Sequence, residues 1–258
     1  MISPLAFVDP AAKIGKGVTI QPFAYIEGDV VIGDECVIMS GAHILNGTRL
    51  GKANKVHHGA VLGTEPQDFH YQGAATTLVI GDNNDIRENV VVARATKPDG
   101  QSHIGDNNYL MDGVHLCHDV KVGNHCVLGI KSMVGGDSRI DDCTILSSSV
   151  ILQQEVHIGS WVLVQSGCRI GKDVPPYVIM AGNPAAYHGV NSVVLQHNHM
   201  SNHITDRILR HIVNAYRLVY QGNFSTEDAL QKIADQIPMS TEIENILAFI
   251  KSSKGIVK

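Results

Sequence analysis

The sequence predicts a mainly β protein: a solenoid of short strands followed by an α-helical C-terminal segment. Three observations predict it. Aliphatic residues recur every six positions over more than half the chain, a small residue nearly always follows four positions after them, and beyond Ser201 the apolar spacing becomes helical.

Stepping by six from Ile14 gives Ile20, Ile26, Ile32, Ile38, Ile44, Leu50, Val56 and Leu62. The beat returns at Ile80, Ile86 and Val92, and again from Ile104 through Leu116, Val134 and Leu152 to Ile170. Of the 27 positions in this phase between 14 and 170, 24 are Ile, Leu or Val. Those residues make up 70 of 258, so chance would fill about seven. A sustained period of six belongs to neither a helix nor a simple strand. Short strands joined by tight bends produce it, each unit pointing its aliphatic residue inward. Three units, or eighteen residues, close one triangular coil, and coils stack at roughly 4.8 Å. The small residues, such as Val18, Ala24, Cys36, Ala42, Thr48, Cys126, Ser132 and Cys168, fit near the bends where the interior narrows. Aromatic residues are only 5% of the chain, so the core must be an aliphatic column built by stacking.

The off-beat residues Asp68, Ala74 and Pro98 mark two segments, GTEPQDFHYQGAATTLV and ARATKPDGQSH, which read as loops leaving the coil. Loops on a rigid scaffold often carry function. At DVPPYVIMAGNPAAYHG the residues Pro175, Pro176 and Pro184 cannot donate ladder hydrogen bonds, so the stack is expected to stop there. Ile204, Ile208, Ile212, Tyr216 and Val219 then follow helical spacing, with Gly222 as a stop. Ser225 with Asp228 resembles a capping box, and Ser240 caps a third helix. The expected division is a β-helix over 1–190, with loops at about 63–79 and 93–103, and a helical domain over 191–258.

Composition narrows the function. A formal net charge of −5 makes nucleic acid an unexpected partner. Five cysteines without C-x-x-C spacing suggest neither a disulfide framework nor a zinc knuckle, and free thiols fit a reducing cytosol. No signal peptide and no run long enough for membrane insertion is visible.

The stretch LMDGVHLCHDVKVG, from Leu110 to Gly123, places His115, His118 and Asp119 in the periodic region. With eighteen residues per coil, His118 stacks beside Gly136 and then Gln154, and His115 beside Met133. His118 is expected to face outward, against a glycine whose backbone can be approached closely. Asp119 contacts it only through the bend or a subunit packed alongside, because adjacent strand residues point oppositely. The same alternation argues against Cys117 as a nucleophile. His43, His57, His58, His103, His125 and His157 read as surface polar residues.

MDGVHLCHDVKVGNHCVLG, the loop QDFHYQG, the segment IRENVVVARAT, the terminus VPPYVIMAGNPA and the following GVN together resemble the acyl-carrier-protein-dependent UDP-N-acetylglucosamine O-acyltransferases, over almost the whole chain. The resemblance implies a left-handed parallel β-helix, a cytoplasmic homotrimer with active sites between subunits, and transfer of a 3-hydroxyacyl chain from acyl carrier protein to the 3-hydroxyl of UDP-N-acetylglucosamine, the first step of lipid A biosynthesis. It implies His118 as general base, Asp119 as its orienting acid and the Gly136 N–H as oxyanion donor. Gln67, Asp68, His70, His115, Gln154 and Asn191 match positions that hold the nucleotide sugar, and Ser166 matches the position that limits acyl length. No metal or cofactor is implied beyond the phosphopantetheine that carries the acyl group. His70 stands where better-known members have lysine, Ala93 and Asp137 each replace a histidine, and His197 and Asn198 replace a basic pair. Arg207, Arg210, Arg217, Lys232, Lys251, Lys254 and Lys258 in the helical tail offer a basic surface for an acidic carrier protein.

Three other readings keep the architecture. An N-acyltransferase acting on an amino-sugar nucleotide would also use a histidine base, although the usual one carries an extra N-terminal domain for which the repeat, beginning by Ile14, leaves no room. A zinc-dependent solenoid similar to carbonic anhydrase would take His115 and His118 as ligands. A purely structural or binding solenoid would be indifferent to loss of His118.

Overall fold

The computed structural model describes residues 1–197, 200 and 204–258, with His197 described for its backbone alone. Most strands are two residues long, and among the described residues they assemble into three sheets of nine, eight and ten strands. Sheet 1 runs from Phe7–Val8 to Arg169–Ile170 and contains His115–Leu116. Sheet 2 runs from Lys13–Ile14 to His157–Ile158. Sheet 3 begins at Thr19–Ile20 and ends with Val178–Ala181 and Ala186–Val190. The chain visits the three in turn, making a left-handed parallel β-helix of triangular section that is followed by α-helices.

The register is the one the beat requires. His115 pairs with Met133, Lys121 with Arg139, and Val127 with Ile145, each eighteen residues on. The inward residues Ile26, Ile38, Val56, Leu110, Leu116, Leu128 and Val134 are completely buried. So are Cys36, Ala42, Thr48, Ser132 and Thr144, each standing just before a strand or, for Thr48, opening one. The polar ones among them donate to carbonyls: Ser132 Oγ to Ser147 O (2.9 Å) and Thr144 Oγ1 to Gly159 O (2.8 Å). A buried hydroxyl thereby avoids the cost of an unmade hydrogen bond.

The corners have a fixed backbone signature. The third residue after the inward one lies in the left-handed region at Glu35, Asp119, Lys131, Asp137, Ser149 and Glu155, with φ between 55° and 62°. This conformation turns the chain sharply from one sheet to the next.

Two excursions leave the corner between sheets 1 and 2. Val61 pairs with Val91, thirty residues on, and Val91 pairs with His115, twenty-four on. The first coil therefore carries twelve extra residues and the second six, which is why the phase of six survives both. The three missing beats at Asp68, Ala74 and Pro98 are the three looped-out units. The strands reach further into these segments than expected, so the excursions are confined to 65–76 and 94–100.

The stack also ends differently from expectation. Past Pro175 and Pro176, Val178–Ala181 still adds a parallel strand on Leu163–Val164, and Ala186–Val190 then pairs with it antiparallel. Those prolines precede the strand, so they remove no donor from its ladder. The helices are α1 (Ser192–His197), α2 (Asp206–Tyr220), α3 (Thr226–Gln236) and α4 (Thr241–Ser252). Thr205, Ser225 and Ser240 cap the last three, and the Ser225 hydroxyl both accepts from Asp228 N (3.0 Å) and donates to its carboxylate (2.7 Å). The helices close over the end of the solenoid, where Tyr216 donates to Pro176 O and Phe249 packs on His157.

Candidate active site

His118 lies two residues beyond the inward Leu116, at the corner where the excursions leave. It points out of the coil and yet is only 9% exposed, because the excursions cover it. Asp119 reaches its neighbour because of the corner: at φ 59° the backbone turns, and Oδ2 comes 3.0 Å from His118 Nδ1. A carboxylate only accepts, so Nδ1 carries the hydrogen and Nε2 is left with its lone pair. Asp119 is itself fixed, with Oδ2 accepting from Thr96 N (2.9 Å) and its own N–H donating to Ser102 Oγ (2.9 Å).

The free face of the imidazole is bounded by two groups. Asp68 Oδ2, on the first excursion, stands 3.8 Å from Nε2, a gap too long for a hydrogen bond. Asp68 Oδ1 accepts from the His70 N–H (3.0 Å) and lies 2.9 Å from His70 Nδ1. The His70 backbone first, and then its imidazole, hold the Asp68 carboxyl below its ordinary value. On the next coil, Gly136 lies under the ring: a Cβ there would come within 2.5 Å of Cε1 and Nε2. Glycine is thus required by close approach, and no acceptor among the described residues engages its N–H. Asp137 N donates to His118 O (3.0 Å) and fastens the two coils.

The remaining expected residues divide into two groups. His115 is half-buried on the outer face of sheet 1, and burial lowers its pKa. Gln67 and Gln154 are exposed, and Gln154 Nε2 donates to Asp137 Oδ2 (3.4 Å). These ring the His118 corner. Ser166 is exposed at another corner, between sheets 3 and 1. Asn191 is 1% exposed and donates an Nδ2–H to Trp161 O (2.9 Å), which fastens the passage into α1. Burial pushes the Cys117 thiol up, away from nucleophilic use. His118, Asp119 and Asp137 form a group whose donor atoms lie within 4.8 Å of one another, and His115 is outside it. Thr96 and Ser102, which hold Asp119, fall in the phase of the small residues, and that phase alone does not reveal this role.

Two of the histidines read as surface residues are not. His57 is 9% exposed, and His157 packs on Phe249 with Nε2 2.8 Å from Asp141. Their corner and end positions are covered by neighbours that no six-residue pattern reveals.

Residues 173–257 match the model for the UDP N-acetylglucosamine O-acyltransferase, domain 2, family, and residues 11–45, 29–64 and 101–136 match the bacterial transferase hexapeptide. An acyl-[acyl-carrier-protein]–UDP-N-acetylglucosamine O-acyltransferase from Halorhodospira halophila is 37% identical over 100% of this chain and 99% of its own length. The chain belongs to the UDP-N-acetylglucosamine O-acyltransferase family. The crystal structure of LpxA from Bacteroides fragilis superposes with a TM-score of 0.96 at 45% identity, and that from Acinetobacter baumannii with 0.94 at 30%, each covering the whole of this chain and 100% and 99% of its own.

The positions at which the resemblance expects other residues can be placed. The His70 side chain is 90% exposed apart from its contact with Asp68. Ala93 is buried at the end of its strand. Asp137 faces Lys97 Nζ at 3.5 Å. Of the pair at 197–198, the His197 side chain and Asn198 lie outside the described residues.

Proposed function

We propose that this acyltransferase moves a 3-hydroxyacyl chain from acyl carrier protein to the 3-hydroxyl of UDP-N-acetylglucosamine, the first step of lipid A biosynthesis, in the cytoplasm. The observation that carries the reading is the asymmetry of His118: Nδ1 is committed to Asp119, while Nε2 faces a gap bounded by Asp68 and Gly136. A sugar hydroxyl in that gap gives its proton to Nε2 as its oxygen attacks the thioester carbonyl, a contribution of about 10²–10⁴-fold. The Gly136 N–H stabilises the tetrahedral oxyanion. Collapse breaks the carbon–sulfur bond, and the departing phosphopantetheine thiolate takes the proton back from His118. Asp119 holds the tautomer and the imidazolium. Gln67, Asp68, His70, His115 and Gln154 hold the nucleotide sugar, and Asn191 instead fixes the entrance to the helical domain that begins at 191.

The outer faces support a homotrimer with sites between subunits. Sheet 1 presents Tyr25, Met133 and Ile151, and sheet 3 presents Tyr109, Val127, Ile145 and Leu163. Sheet 2 presents Arg49, Lys121 and Arg139. A threefold assembly buries sheet 1 of one chain against sheet 3 of the next and leaves sheet 2 in water. His118 then sits at the rim of that contact. The acyl chain lies across Met133 and Ile151, 47% and 37% exposed in the single chain, toward Ser166.

The test is to incubate purified protein with UDP-N-acetylglucosamine and a panel of 3-hydroxyacyl carrier proteins and to weigh the products. Acylated nucleotide sugar is expected from one or more donors. Unchanged turnover in His118→Ala would refute the assigned base.

A further inference from the structure

We infer that Arg94 is a positioning residue that sets the distance between Asp68 and His118. The two carboxylates flanking His118 are held by different excursions: Asp68 belongs to the first, and Asp119 is anchored by Thr96 N of the second. Arg94 opens the second excursion and ties the first, through Glu65 and Tyr71, to the strand end at Gly63 and Thr64. Its N–H donates to Thr64 O (3.0 Å). Its guanidinium donates to Gly63 O (3.0 Å), Tyr71 OH (2.9 Å) and Glu65 Oε1 (3.2 Å), and lies over the Tyr71 ring at 5.7 Å. These partners bracket Asp68 on both sides in sequence. The side chain is 13% exposed, although its partner Glu65 is 73% exposed. The ion pair with Glu65 therefore adds little, and the fork onto Gly63 O and Tyr71 OH does the holding.

Without this fork the first excursion keeps few attachments near Asp68. The Tyr71 N–H donates to Asp68 O and the Tyr71 hydroxyl to Ala74 O, both within the excursion itself, and the backbone tie to the second excursion, Asp99 N–H to Ala75 O (3.1 Å), lies at the far end, seven residues from Asp68. Asp68 would then move relative to Nε2. The solenoid, whose rungs are aliphatic and lie elsewhere, would not.

The inference rests on the reading of His118 as the base, and its test separates the two. Arg94→Ala is expected to lower kcat/KM by about 10²-fold, the cost of an ångström-scale misplacement, with the thermal midpoint unchanged. Arg94→Lys should recover little, because an ammonium cannot span the same acceptors. Free guanidinium should restore activity to Arg94→Ala, because the side chain lines an open cavity of about 540 Å³ with Arg49, Glu65 and Tyr71. In an Asp68→Asn background, Arg94→Ala should cost little more. Tyr71→Phe, which keeps the ring and removes one acceptor, should give a smaller loss of the same kind and serves if Arg94→Ala fails to fold. Full activity in Arg94→Ala or, should that variant not fold, in Tyr71→Phe, while His118→Ala is inactive, would overturn the role of Arg94 alone. Equal losses with and without Asp68, unrescued by guanidinium, would overturn it as well. An active His118→Ala would instead remove the reading beneath it.

Discussion

His57 and His118 each stand just beyond an inward aliphatic residue, Val56 and Leu116, and each is 9% exposed. Each also meets two carboxylates. His57 Nδ1 lies 3.3 Å from Glu88 Oε1, and its Nε2 lies 2.9 Å from Asp85 Oδ1, a close contact that is not a hydrogen bond. Both nitrogens are therefore blocked. His118 has one carboxylate at 3.0 Å and the other at 3.8 Å, with a glycine beneath the ring. Burial and acidic neighbours are common to both sites. A general base needs in addition one nitrogen with room for a substrate atom, and only the corner carrying the excursions leaves that room.

The largest expected effect breaks the pair apart. His118→Ala should lose about 10²–10⁴-fold in turnover, while His57→Ala should keep its turnover and lose thermal stability. Equal losses of turnover would make the contrast between them meaningless. Next, Gly136→Ala places a methyl 2.5 Å from the imidazole, which must shift, and turnover should fall by about 10²-fold. The check is kcat at saturating substrates beside a melting curve. Asp119→Asn tests the orienting hydrogen bond. Asparagine tolerates φ 59°, so the corner survives, while a charged hydrogen bond of about 1.5–3 kcal/mol is lost, or about 10- to 10²-fold in rate.

The smallest effect concerns the blocked site. Arg87, through its hydrogen bond to the carboxylate, holds the Glu88 pKa down to about 2, against an ordinary 4.5. Because the folded value is the lower one, the ionised form favours folding. The contribution is complete above about 4.5 and fades as pH falls toward about 2. Glu88→Gln should therefore melt slightly below wild type at neutral pH, with the difference closing as acid is added. A difference independent of pH would show that packing, not charge, holds this corner.

Much of the scaffold was legible beforehand. The beat gave the register, and its three failures at Asp68, Ala74 and Pro98 correspond to the looped-out units. The stacking of His118 on Gly136 and of His115 on Met133 followed from counting eighteen. The contact between His118 and Asp119 did not follow, because alternation along a strand says nothing about a residue at positive φ. Nor did the burial of His57, the antiparallel strand after Pro184, or α1. The roles of Arg94 and Thr96 gave no signal, since a loop's partners depend on how it folds back.

The sequence by itself determined which side chains enter the column, because an aliphatic residue every six positions has only one way to leave water, and stacked coils must then repeat at eighteen. Tertiary structure alone decided which outward histidine can act. That depends on the sign of a corner's φ and on two excursions meeting over one face, and both are settled by contacts between residues twenty to fifty apart, such as Thr96 with Asp119 and Asp68 with His118.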